Sequence, residues 1–202
     1  MNKTHWYDGL IYDKYIAPHQ DILFRLIKGL IKPDSVVIDV GCGTGRLPFQ
    51  LAPYCKEVVG IDLSIKNIQV ALKNKKLNNS KNVNFFHSSV EDLLKENSFH
   101  FDYAVITYVI HEVKPEERLP LIENIKKLAD LIIIGDYIVP MPRGFIGYLT
   151  GFVEFIAGRE HYAGFKDYIK HGGIDYLIKE AGLSKIKEIK GKPESAHLVV
   201  VK

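Results

Sequence analysis

From residue 35 onward, two kinds of apolar pattern alternate along the chain. Short apolar-rich runs fall at Ser35 to Val40, Glu57 to Ile61, Val83 to Phe86, Phe101 to Thr107 and Leu131 to Asp136, and each reads as a strand. Between them, Leu47 to Tyr54, Ile65 to Leu77, Val90 to Lys95 and Pro115 to Leu128 read as helices. The second of these puts Ile65, Ile68, Ala71 and Leu72 on one face, and the last carries proline in its first turn. Strand, helix, strand, helix predicts parallel strands joined by right-handed crossovers, with helices on both faces. A run such as Leu131-Ile132-Ile133-Ile134 fits a strand covered on both sides.

The alternation then stops. Tyr137 to Lys170 is rich in aromatics and glycine and has no clean period, so 137–170 reads as a lid-like insertion. A helix is predicted at Gly173 to Ala181, closed by Gly182. Lys185 to Ile189 and Ala196 to Val201 follow as β-rich segments too close together to flank a helix, so they should pair antiparallel. Residues 1–32 read as a helical segment with aromatics at Trp6, Tyr7, Tyr12 and Tyr15. Without repeats, low-complexity stretches or a linker, residues 1–202 read as one domain.

Composition narrows the picture without changing it. A 47% hydrophobic and 25% charged chain of 202 residues is ordinary for a globular domain. A net charge of +3 is too mild to argue for nucleic acid, and Lys73, Lys75, Lys76 and Lys81 read as a solvated helix end and loop. The two cysteines, Cys42 and Cys55, form no CxxC pair, zinc spacing or disulfide framework. The start lacks the apolar core of a signal peptide, and Gly144 to Gly158 is too short to span a membrane and contains Glu154. A cytoplasmic protein is the expectation. Oligomeric state is not legible.

The chemistry concentrates in Val37-Ile38-Asp39-Val40-Gly41-Cys42-Gly43-Thr44-Gly45, which leaves a strand and enters a helix. Alternating glycines allow a tight turn and close approach of a ligand to the main chain. The helix behind offers free N–H groups and a positive dipole end. Asp62 follows at the end of the second strand, where an acid can accept hydrogen bonds from both hydroxyls of a ribose.

Asp39-x-Gly41-x-Gly43-x-Gly45, Gly60-Ile61-Asp62-Leu63-Ser64 and Phe99-His100-Phe101-Asp102-Tyr103-Ala104-Val105 resemble motifs of the class I S-adenosylmethionine (SAM)-dependent methyltransferases, and of their small-molecule branch. The resemblance runs from about Ser35 to Asp136 and extends to the C-terminal strand pair. It implies a Rossmann-like doubly wound α/β fold with a seven-stranded sheet, mostly parallel with an antiparallel last strand. It also implies SAM as cofactor and S-adenosylhomocysteine as product. The loop Gly41, Cys42, Gly43, Gly45 would hold the methionine part, and Asp39 would support its amino group, directly or through water. Asp62 would bind the ribose hydroxyls, and Leu63 would pack on the adenine. Ser89 and the Val90 backbone would contact the adenine edge, where the family often has an acid instead of Ser89. Cys42 is expected to pack rather than react.

The acceptor side lies beyond the fourth strand, at Thr107-Tyr108-Val109-Ile110-His111-Glu112. His111 is a candidate base, since imidazole titrates near neutrality. The competing reading, a structural histidine at the start of the next helix, is the one expected. Glu112 is read as a solvated or helix-end acid. His111-Glu112 lacks the second histidine of HExxH, so no metal is expected. Tyr108, His161, Tyr162 and Phe165 are candidate acceptor-binding residues, with Tyr7, Tyr12 and Tyr15 as covers of the cofactor. The acceptor is expected to be a small molecule. NPPY-like and Pro-Cys motifs of nucleic-acid methyltransferases are missing, and the third glycine departs from the GxGxxG of NAD-dependent oxidoreductases. A nucleic-acid or protein methyltransferase, an NAD enzyme and a non-catalytic SAM-binding module remain the alternatives.

Overall fold

The computed structural model describes residues 17–96 and 99–202. The segment holding Trp6, Tyr7, Tyr12 and Tyr15 lies outside the described residues. Sixteen elements follow in chain order: α1 (Ala17–Lys28), β1 (Val36–Val40), α2 (Arg46–Leu51), β2 (Glu57–Asp62), α3 (Ile65–Asn78), β3 (Val83–His87), α4 (Val90–Glu96), β4 (Phe101–Thr107), a 3₁₀ turn (Ile110–Glu112), α5 (Pro115–Leu128), β5 (Ala129–Tyr137), α6 (Phe145–Ile156), α7 (Arg159–Lys170), α8 (Gly173–Glu180), β6 (Lys185–Lys190) and β7 (Ala196–Val201).

The strands form one seven-stranded sheet in the order β3-β2-β1-β4-β5-β7-β6. The first five are mutually parallel, whereas β7 is antiparallel to β5 and to β6. This is the Rossmann-like doubly wound arrangement expected. Successive strand residues face opposite sides, so Val37 and Ile38 of β1 enter different cores. One core packs Leu23 and Ile27 of α1, Leu47 and Leu51 of α2, and Ile68 and Ala71 of α3 on the sheet. The other packs Leu93 of α4, Ile122 and Ile125 of α5, and Ile174 and Leu177 of α8 on the opposite face. Leu72 departs from expectation and is exposed; Ile68 and Ala71 carry the buried stripe of α3.

Two local devices set the strands in place. The Asp102 carboxylate accepts a hydrogen bond from the Val36 N–H at 2.7 Å, tying the start of β1 to β4. Ser64 accepts from the Asn67 N–H and caps α3. Strand order reverses between β1 and β4, so the crevice at their carboxyl ends is the topological switch point where such sheets bind ligands.

The segment 137–170 differs from its reading as non-periodic. Tyr137 completes β5, and the rest contains two twelve-residue helices, α6 and α7. The α6 sequence is apolar nearly all round, with Tyr148, Phe152 and Phe155 exposed, which hides its helical period. Among the described residues, no helix is long and apolar enough to cross a membrane.

Candidate functional site

The glycine loop leaves β1 at the switch point. The N–H groups of Gly41 and Cys42 both donate to the Ile61 carbonyl, at 2.8 and 2.9 Å, bending the loop toward β2. Gly41 and Gly43 have φ of +76° and +54°, which L side chains rarely adopt. Their neighbourhoods differ. A Cβ on Gly41 would lie 2.3 Å from Val109 Cγ2, whereas a Cβ on Gly43 would meet nothing within 4 Å. Gly41 is therefore a packing requirement, and Gly43 opens onto the crevice. Gly45 closes the turn, its N–H donating to the Cys42 carbonyl, and starts α2.

Asp62 braces this loop from β2. One of its carboxylate oxygens accepts from the Gly43 N–H at 2.8 Å and the other from the Ser64 N–H at 2.7 Å. A carboxylate at a strand end is the kind of acceptor that a ligand's hydroxyls use. Leu63, next in sequence, is 73% exposed, an apolar side chain beside a polar cradle.

Asp39 is only 2% exposed, and its Oδ1 has no hydrogen-bond partner among the described residues. Burial, with the neighbouring Asp62 charge adding, raises its pKa to about 8. An orphaned buried acceptor beneath an open glycine loop fits a ligand that carries an ammonium group. Cys42 is buried, and burial holds its thiol well above the usual range, with the charges of Asp39 and Asp62 adding. It packs, as expected, and is no thiolate nucleophile.

Ser89 has its hydroxyl engaged. It donates to Asp92 Oδ2 at 2.8 Å and accepts from the Asp92 N–H at 3.1 Å, capping α4 ahead of the buried Val90. With its proton committed, an acceptor lone pair of Ser89 and the backbone at Val90 remain for a ligand.

On the other side of the switch point, Tyr108 follows β4 with φ of +53°, held by its N–H donating to the Gly135 carbonyl at 2.8 Å. Non-glycine residues in this conformation carry strain of order 1–3 kcal/mol and concentrate at functional sites. Its ring lies 5.4 Å from that of Tyr137, which lies 4.8 Å from the His111 imidazole.

His111 is buried on the 3₁₀ turn. Its Nδ1 bonds Asp136 Oδ1 at 2.7 Å, and its backbone N–H donates to Asp136 Oδ2 at 3.2 Å. Burial by itself would lower its pKa, but the charge and hydrogen bond of Asp136, with Glu154 and Glu112 adding, raise it to about 9. His161, on α7, is buried and bonds Glu154 of α6, whose other oxygen accepts from the Tyr137 hydroxyl at 2.6 Å. Phe165 is buried against Tyr137 and His111, and Tyr162 is half-buried beside Phe155 and Phe165. Glu112 is not a free surface acid: its Oε1 lies 3.9 Å from the Nε2 atoms of both His111 and His161.

The structure thus brings His111, His161, Phe165 and Tyr108 into one neighbourhood at the ends of β4 and β5. Sequence reasoning missed Asp136 and Glu154. The one signal available was Glu154 as the lone charge in an apolar helix; Asp136 lies in a strand that also carries Asp130.

A family model described as a methyltransferase domain matches residues 31–139, just over half of the chain. The chain is 30% identical over 165 residues to a ubiquinone biosynthesis O-methyltransferase of Nitrosospira multiformis, covering 77% of this chain and 64% of that protein. It is 31% identical over 86 residues to an uncharacterized RNA methyltransferase of Mycoplasma mobile, covering 43% of this chain and 24% of that one. The chain therefore spans less than two thirds of the length of these relatives. A SAM-dependent methyltransferase from Aquifex aeolicus shares the fold, with a TM-score of 0.65 at 18% identity over 91% of this chain and 92% of its own. The matched domain carries the glycine loop, Asp39 and Asp62 in the arrangement just described, and the chain belongs to the class I SAM-dependent methyltransferase family.

Proposed function

We propose that the chain transfers a methyl group from SAM to a small-molecule acceptor held beside Tyr108 at the ends of β4 and β5. The single observation that carries the cofactor half is the unpartnered, buried Asp39 oxygen beneath the open Gly43. In this reading Asp39 receives the cofactor's amino group, the 41–45 loop its methionine part, Asp62 its ribose and Leu63 its adenine, with Ser89 and Val90 at the adenine edge. SAM brings a methyl group already activated by its sulfonium, so the protein's task is alignment and exclusion of water.

The acceptor half is supported by α6 and α7, which rest on the 3₁₀ turn after β4. Arg118 holds α7 there: its Nε donates to the Ile110 and Val113 carbonyls, and its guanidinium reaches the Gly164 carbonyl and Asp167 of α7. Tyr162, Phe165 and His161 lie on this roof, as a small-ligand site requires an apolar wall with few polar anchors. His111, with its pKa raised to about 9, is an imidazolium near neutral pH and serves as a positioning residue rather than a base there. The ubiquinone-pathway relative matches 77% of the chain and the RNA relative 43%, which favours the small-molecule reading.

The test is label transfer. The chain is incubated with methyl-labelled SAM, separately with a pool of small phenols and amines and with total RNA. Label in the small-molecule fraction supports the proposal, and label only in RNA replaces its acceptor half. SAM at about 100 times its dissociation constant should also stabilise the fold by roughly 2.7 kcal/mol. The absence of any SAM-dependent shift in melting temperature refutes the cofactor half.

A further inference from the structure

Four side chains from three elements converge beside Tyr137: His111 and Glu112 on the 3₁₀ turn, Glu154 on α6 and His161 on α7. His111 Nε2 lies 3.6 Å from Glu154 Oε2 and 3.9 Å from Glu112 Oε1, and His161 Nε2 lies 3.9 Å from the same Glu112 oxygen. His161 and Glu154 are directly hydrogen-bonded. One ligand atom from each of His111, Glu154 and His161 falls within 4.8 Å of the others. Zinc bound at about 2.0–2.1 Å in a tetrahedron holds neighbouring ligand atoms roughly 3.4 Å apart. The long separations here are close to that value, and an ion would take the place of the His161–Glu154 hydrogen bond.

We propose that His111, His161 and Glu154, with Glu112 in the fourth position, form a binding site for a divalent transition-metal ion of the zinc class. The surroundings have the second layer that such sites need. Asp136 holds His111 Nδ1 at 2.7 Å, which fixes the ring and leaves Nε2 turned toward the cluster, where a bound ion displaces the Nε2 proton to solvent. The Tyr137 hydroxyl holds Glu154 Oε1, which leaves Oε2 for the ion. Rings of Tyr137, Phe165 and Tyr168 pack 4.8 to 6.3 Å from the His111 ring and keep the site dry on that side. The Glu112 side chain, 39% exposed, marks the side from which an ion reaches the site. Two imidazoles and two carboxylates suit zinc better than calcium or magnesium, which take oxygen ligands.

Charge supports the same reading. No lysine or arginine among the described residues pairs with Glu112, Asp136 or Glu154. The contrast is a second cluster, Asp175, Glu188 and His197, where Lys185 and Lys190 already bind both carboxylates. There the ammonium groups occupy the centre that a cation would take. The inference goes beyond methyl transfer and stands whether or not the acceptor is a small molecule.

The test uses the full chain, free of any polyhistidine tag, stripped by a chelator and then titrated with zinc chloride. Metal analysis after gel filtration should find one zinc per chain, and cobalt(II) in its place should give the visible absorption of a four-coordinate N/O site. His161→Ala and Glu154→Gln should each abolish stoichiometric zinc, and Asp136→Asn should weaken zinc binding about 10–100-fold. His197→Ala, in the second cluster, should leave one zinc bound. Far-UV circular dichroism and the SAM-dependent shift in melting temperature establish that each variant is folded. A stripped wild-type chain that takes up no zinc overturns the proposal even if every variant misfolds. So does full zinc occupancy in a folded His161→Ala or Glu154→Gln protein, and so does loss of the ion only in His197→Ala.

Discussion

Asp39→Asn isolates the cost of an ionised acid buried under the glycine loop. The carboxyl is fully buried and its pKa lies at about 8 in the fold, against an ordinary value of 3.8. Between those values the native state holds a proton that the unfolded chain has released. Stability therefore falls as pH rises from about 4 to 8 and levels off above that. The slope approaches 1.4 kcal/mol per pH unit within the window, which amounts to roughly 4 kcal/mol by pH 7. Asparagine has nothing to ionise. The difference in unfolding free energy between the wild type and Asp39→Asn, from urea melts without SAM at several pH values, should carry that slope. The unpaired amide of asparagine offsets the curve by about 1–3 kcal/mol but does not tilt it. Ligand binding should run the other way. If the SAM ammonium sits on Asp39, the bound state prefers the carboxylate, so wild-type affinity should rise toward tenfold per unit between pH 5 and 7. Calorimetry in buffers of different ionisation enthalpy should register the released proton. A pH-independent difference in stability between the two proteins would refute the reasoning.

Asp62→Ala should weaken SAM binding roughly ten- to over a hundredfold by calorimetry, because it removes charge-assisted bonds of about 1.5–3 kcal/mol each and also frees the Gly43 N–H; unchanged affinity in a folded variant would exclude Asp62 from the site. Gly43→Val meets no neighbour yet places a β-branched side chain at positive φ into the crevice, so SAM binding should be lost at a stability cost of only about 1–3 kcal/mol. A variant that binds SAM normally would show that this glycine does not face the cofactor. Arg118→Ala should strip buried carbonyls of their partner and cost about 3–5 kcal/mol, lowering the melting temperature by roughly 6–20 °C; a change within 2 °C would show that the α7 contact contributes little.

The glycine loop and strand-end acid of the proposed cofactor side were legible because they are local. Asp39, the glycine loop and Asp62 sit within 24 consecutive residues, and buried parallel strands announce themselves as apolar runs. The cluster on the proposed acceptor side was not, because its contacts are remote. Asp136 and Glu154 act on His111 across 25 and 43 positions, and nothing in the sequence around either acid, the isolation of Glu154 in an apolar helix included, points to His111 as its partner. His161 and Phe165 were named from residue type alone, and the fold supplies the reason: both lie one face of α7 deep against the 3₁₀ turn. The period of α6 was masked by its apolar outer face, since a helix apolar all round shows no stripe. The strain at Tyr108 has no sequence signal, being imposed by the carbonyl of Gly135 on the neighbouring strand.

The last hairpin has a consequence for self-association. The strand β6 forms one border of the sheet, and a border strand offers unpaired backbone groups to any other extended chain. Here it reads Lys-Ile-Lys-Glu-Ile-Lys, almost wholly exposed, with a register irregularity between Lys185 and Lys187. An incoming strand would have to strip water from three ammonium groups and follow a ladder that is out of step. Lys185 and Lys190 are further pinned to Asp175 on α8, so they do not simply swing aside. This border is thus closed to continuation of the sheet by a second chain, and neutralising Lys185, Lys187 and Lys190 together would expose a template for aggregation.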